Sequence, residues 1–141
     1  MVKLPETLAA ALAEKNLSVT VAFPQKRFTP NLAGPRIMIG VEAIRYETAG
    51  LDNALFRNAD GVTQRGRRVS GTLFLESYSS YPKSARQDAT LLPLVLNAVL
   101  GELGDYTVGA IRLDPPYYDA RTDCFRHRLR IELSAYCYQT A

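Results

Sequence analysis

The sequence predicts an α+β fold: a single, mainly antiparallel or mixed sheet of four to five strands packed by two helices. Three observations predict it. The stretches 67–78 and 124–138 alternate between two faces with the period of two that a half-buried strand requires. The stretches 5–16 and 84–103 instead place apolar residues three and four apart, the spacing of a helix face. At 141 residues, 47% of them hydrophobic and 22% charged, the chain has globular composition and the size of one domain, 1–141, with one good core.

Pro5 and Glu6 suit the first turn of a helix, where a missing amide costs nothing and an acid meets the positive end of the dipole; Lys15 and Asn16 suit its last turn. Leu8, Ala11 and Leu12 form its apolar stripe. Residues 18–23 alternate as a strand ended by Pro24, and 24–35 read as a loop from their Pro, Gly and Asn content. The run 36–44 is apolar on both faces, which predicts a covered strand. From 46 to 64 the pattern dissolves into Gly50, Asp52, Asn53, Asn58 and Asp60, and a long loop is expected.

In the strand 67–78, Val69, Gly71, Leu73 and Leu75 fall on one face and Ser70, Thr72, Phe74 and Glu76 on the other. Ser84 and Gln87 have the spacing of a capping box, so a helix should begin there and run to about Leu103, closed by Gly104, with a kink or restart at Pro93. Its stripe is Leu92, Leu96, Val99 and Leu103. Leu91, Leu94, Val95 and Leu100 spread apolar surface further around the cylinder, and a helix apolar on most sides is covered on most sides. Here the sheet is expected to cover one side and the first helix or a neighbouring subunit the rest, which makes Leu91 and Leu94 interface candidates. The strands 106–113 and 124–138 form a wide hairpin around a polar, aromatic loop at 114–123 that presents Tyr117 and Tyr118.

The longest apolar stretch, 91–100, is about ten residues and is interrupted by Pro93 and Asn97, too short to span a bilayer. The first residues lack the apolar core of a signal peptide, so synthesis in the cytoplasm and no membrane contact are expected. Cys124 and Cys137 share one predicted strand and are read as free, buried or half-buried thiols. With His127 they do not make a zinc set, because no close Cys-x-x-Cys pair exists; no metal and no cofactor are expected. No catalytic residues are expected either. His127 lies on an apolar strand face, poorly placed for Cys124 or Cys137 to act as its nucleophile, and Asp114, Asp119 and Asp123 read as turn residues.

The charge is more informative. Net charge is +3, and thirteen of the seventeen basic residues are arginine, the cation favoured in protein interfaces. Arg126, Arg128 and Arg130 alternate on one strand face, and Arg65, Arg67 and Arg68 precede another strand and could extend the stripe. Three readings stay open at this point: a solvated face, a subunit interface paired with acids such as Glu76 or Glu132, and a phosphate-binding surface to which Tyr136 and Tyr138 would add stacking.

The order helix, strand, strand, long loop, strand, capped helix, wide hairpin resembles the phage tail terminator family, including the minor tail protein of lambda-like phages. The residues that carry the resemblance are Arg67-Arg68-Val69-Ser70-Gly71-Thr72-Leu73-Phe74-Leu75-Glu76, the Ser84-Ala85-Arg86-Gln87 helix start, and Arg126-His127-Arg128-Leu129-Arg130-Ile131-Glu132-Leu133. The resemblance implies a structural, non-enzymatic virion protein of the tail and neck that assembles as a homo-oligomeric ring, typically a hexamer. Such a ring caps the tail tube protein, receives the neck or head-completion protein, and meets DNA transiently in its lumen. The alternatives are another neck, tube or baseplate component, or a basic nucleic-acid-binding accessory protein.

Overall fold

The computed structural model describes residues 1–17, 19–22, 36–48, 54–57, 61, 63–79, 85–121 and 124–138. The element order is α1 (Leu4–Glu14), β1 (Val19–Val21), β2 (Arg36–Thr48), β3 (Ala54–Arg57), β4 (Thr63–Ser79), α2 (Ala85–Gly101), β5 (Thr107–Leu113), β6 (Tyr117–Asp119) and β7 (Cys124–Tyr138). Five strands form the path β1-β2-β4-β7-β5, and the short β3 and β6 add to β4 and β7. The predicted α+β class with one mixed sheet and two helices is what the chain adopts, with two more short strands than expected. β1 runs parallel to β2 and every other pair is antiparallel.

Local sequence accounts for the helix ends. Pro5 sits in the first turn of α1, and Leu8 and Leu12 are buried beneath it. Asn16 adopts φ 60°, the Leu17 amide donates to the Leu12 carbonyl at 2.9 Å and the Asn16 amide to the Ala13 carbonyl at 3.1 Å. That pair of bonds is the Schellman closure, in which asparagine tolerates the left-handed conformation better than other non-glycine residues. α2 begins at Ala85, where the capping box places its start, and continues through Pro93 as one helix. It ends at Gly101, short of Leu103. Ser84 itself lies outside the described residues, as does the predicted loop at 24–35.

The core is built from one face of the sheet and both helices. Ile37 and Ile39 of β2, Leu73 and Leu75 of β4, and Leu129, Ile131 and Leu133 of β7 bury against Leu4, Leu8 and Leu12 of α1 and Leu92, Val95, Val99 and Leu103 of α2. The face assignment for β4 and β7 therefore holds. The cover expected of α2 needs correction: Leu91, Leu96 and Leu100 are half-buried against this same core, and only Leu94 stands well exposed. One sheet face and one short helix close around α2 more completely than its circumference predicts.

Two expected loops are partly strand. Within 46–64, β2 continues to Thr48, β3 occupies Ala54–Arg57 and β4 starts at Thr63. The reason is a bulge between Glu42 and Arg45, where Ala43 takes φ 55°. An extra residue reverses the alternation, so Tyr46 pairs with Val69 on the face that Ile37 and Ile39 occupy earlier, and a period-two reading loses the strand. Within 114–123, β6 pairs with the start of β7. Cys137 is free and exposed, which corrects the expectation of a buried or half-buried thiol: it stands opposite the exposed Arg67, beyond Leu133, the last core residue of β7.

Candidate assembly interface

The face of the sheet away from the helices carries the arginine stripe, and the strand register decides what it does. Tyr78 stands opposite Arg126, Glu76 opposite Arg128 and Phe74 opposite Arg130. Glu76 is fully buried among them. It accepts from the Tyr78 hydroxyl at 2.6 Å, from Arg126 Nε at 2.7 Å and from Arg128 Nε at 2.6 Å, and a further bond joins it to Arg126 Nη2. Arg126 also reaches Asp119 at 2.7 Å; Arg128 and Arg130 reach Glu42 at 3.5 and 3.0 Å. Asp114 pairs with Arg130 and, at 3.1 Å, with Arg112. The guanidinium of Arg128 lies 4.3 Å from the Phe74 ring centroid and that of Arg126 lies 4.7 Å from the Tyr78 ring, so the stripe also roofs the aromatics.

Four guanidinia thus face four carboxylates within the chain. Burial alone would raise Glu76, but the hydrogen bonds from Tyr78, Arg126 and Arg128 hold it below the ordinary carboxylate value. Burial and the adjacent Glu76 carboxylate push the Tyr78 hydroxyl far above its ordinary range, and burial with the Glu76 charge also raises Tyr117. Arg126 stays protonated: burial lowers it, and Asp119 and Glu76 more than offset this. Of the three readings of the stripe, intersubunit pairing with Glu76 is corrected by this geometry, since Glu76 is taken internally. The acids Asp114 and Asp119, read as turn formers, are ion-pair partners; Asp119 also accepts from the Arg121 amide at 3.0 Å, a turn role as expected.

Exposed apolar surface lies elsewhere. β5 ends the sheet, pairs only with β7 among the described residues, and all seven of its residues are exposed. Val108, Ile111 and Leu113 stand 36%, 43% and 52% exposed, and Tyr117 and Tyr118 of β6 continue this apolar border. A seven-residue edge strand offers a row of unpaired amides and carbonyls, and soluble proteins ordinarily blunt such an edge with charge, proline or cover. Here Arg112 alone is charged, and it is bound by Asp114.

No family model and no curated relative matches the chain. Among solved structures it is similar to a chain from the cryo-EM structure of the sheath/tube terminator of an extracellular contractile injection system, PVC, in its extended state. The TM-score is 0.49 and the identity 10%, with 100% of this chain and 58% of that one covered. This chain therefore spans under two thirds of that protein's length, and nothing about partners follows from the likeness.

The candidate residues named from sequence separate into groups. Arg126, Arg128 and Arg130 form the internal ladder. Arg67 and Arg68 are exposed and make no ion pair among the described residues, as is also true of Arg45 on β2. Arg68 shares the ladder's face, opposite Tyr136 and Glu47, but lies at the far end of the strands. The Arg65 side chain lies outside the described residues. Tyr117 lies beneath Arg126, 5.7 Å from ring centroid to guanidinium, and Tyr118 tilts against Phe125. His127 is half-buried, and its carbonyl accepts from Ser77 at 3.5 Å. Sequence reasoning missed β5 as a surface, because an apolar strand has the same pattern in the middle of a sheet as at its border. Among the described residues, no group of three His, Cys, Asp or Glu could hold a metal, and no helix is long and apolar enough to cross a membrane.

Proposed function

We propose that this chain is a structural subunit of a tailed phage or phage-like particle: a tail terminator whose copies form a ring, six in the family it resembles, that caps the tail tube and joins it to the neck or head-completion proteins. The observation that carries self-assembly is the exposed apolar border of β5, continued by Tyr117, an edge of the kind that a second copy would cover. The terminator assignment adds the order of elements and the residues that carry the family resemblance. DNA contact in the lumen is left to Arg45 and Arg68, which share the ladder's face, because the ladder itself is neutralised internally. Light scattering at micromolar concentration, alone and with tube protein, tests the reading: a discrete cyclic oligomer supports it, and a monomer under every condition overturns it.

A further inference from the structure

The ring reading leaves open which surfaces join, and among the described residues the sheet has two unpaired borders that match. On the side opposite β5, β1 covers β2 only from Ile37 to Ile39, and the Ala22 amide adds one bond to the Ile39 carbonyl at 2.8 Å. Above that point β2 runs nine more residues, to Thr48, with no partner on its outer edge among the described residues. The register shows where β5 lies relative to this gap. Thr107 stands level with Ser134, Ser70 and Arg45, and Leu113 with Leu129, Leu75 and Ile39. β5 therefore lies level with Ile39 to Arg45, and so overlaps the first six residues, Gly40 to Arg45, of the part of β2 that β1 leaves unpaired among the described residues, about 20 Å at the rise of an antiparallel strand.

Direction matches as well as height. β2 to β4, β4 to β7 and β7 to β5 are each antiparallel, so β5 runs opposite to β2. In a cyclic assembly every copy of β2 keeps its sense relative to the axis, and a neighbour's β2 laid beside β5 continues the alternation without a break. Resting on the ring reading above, we infer that β5 of one copy pairs antiparallel with β2, within Gly40 to Thr48, of a second copy, so that the sheets join into one closed barrel. The contact is heterologous, the kind that generates rings when its rotation closes. Both partner strands carry a bulge at the same level, between Glu42 and Arg45 and between Val108 and Ile111, and bulges bend a sheet as closure requires. With both helices on one face, the bulkier helical layer goes outside, and the face carrying the ladder, Arg68 and Glu132 turns toward the lumen.

Two blocked variants test the pairing. Val108→Lys/Ile111→Lys charges the β5 edge, and Tyr46→Lys/Thr48→Lys charges the β2 edge; all four side chains are exposed, so both variants should melt close to the parent. The expected result is that each variant alone is monomeric while their equimolar mixture gives a species of two copies, one live edge meeting the other. If the β2-blocked variant pairs with itself, or if the mixture stays monomeric, the pairing is overturned. Amide exchange on the unaltered chain gives a second readout independent of variant folding. Exchange at 107–113 and at 40–48 should slow by about tenfold or more together in the oligomer relative to dilute monomer. A ring in which both segments exchange freely refutes this interface and leaves the ring reading standing; an unaltered chain that never assembles refutes the ring reading itself.

Discussion

Replacing Glu76 with glutamine tests whether the ladder holds the sheet's open face together. The carboxylate is fully buried, and its two main partners, Arg126 and Arg128, are only 22% and 21% exposed. Glutamine keeps the volume and one acceptor but removes the charge that both guanidinia face. Breaking a fully buried pair by removing one partner costs about 3–5 kcal/mol, because the remaining charge is left desolvated. The penalty here is smaller. Arg126 retains Asp119 and Tyr78, Arg128 retains a long contact to Glu42, and both are partly solvated. A loss of about 1–3 kcal/mol follows. Urea unfolding at neutral pH with an unchanged slope measures it. Glu42→Gln is the internal control: its carboxylate is 37% exposed and pairs at 3.0 and 3.5 Å, so it should cost about 0–1 kcal/mol. If Glu76→Gln costs no more than Glu42→Gln, the buried carboxylate is not the centre of the network and the reasoning fails.

The same carboxylate sets an acid limb. Its folded value lies below the ordinary 4.5, so its contribution is fully present above that pH and is lost as pH falls through the folded value; melting scans should show the parent losing stability in acid more steeply than Glu76→Gln. Gly40→Ala should destabilise by about 1–3 kcal/mol in chemical unfolding, because a Cβ there would sit 2.5 Å from the Phe74 ring, which Arg128 pins from above. Leu73→Ala, at the centre of the core, should cost about 2–5 kcal/mol by the same assay. Arg45→Ser/Arg68→Ser should leave stability within about 0.5 kcal/mol, as both side chains are exposed and make no ion pair among the described residues. If lumen contact with DNA relies on these arginines, the double variant should also flatten the salt dependence of DNA retention.

Much of this fold is legible in the sequence, and the reasons differ by element. β4 and β7 are easy because both alternate without interruption over long runs against a single core face. The end of β2 is not, because Ala43 shifts the alternation by one residue and composition after it turns polar. α2 is placed well in outline, but its burial is a tertiary quantity: Leu91 and Leu100 find cover within the chain, and no local pattern separates that outcome from a neighbour's cover. The arginine stripe is visible in sequence, yet its partners come from β2, β4, β6 and the turn after β5, so only the register reveals that it is neutralised. β5 shows the limit most clearly. Its residues spell a strand, while its place at the border of the sheet depends on every other pairing.

In the proposed assembly, this chain leaves its sheet unfinished and completes it with further copies. The mass of the unaltered chain across a concentration series, set beside that of Val108→Lys/Ile111→Lys, tests it most directly. The prediction is a discrete closed oligomer for the first and a folded monomer for the second. A monomeric parent, or an oligomer indifferent to the two lysines, would contradict it.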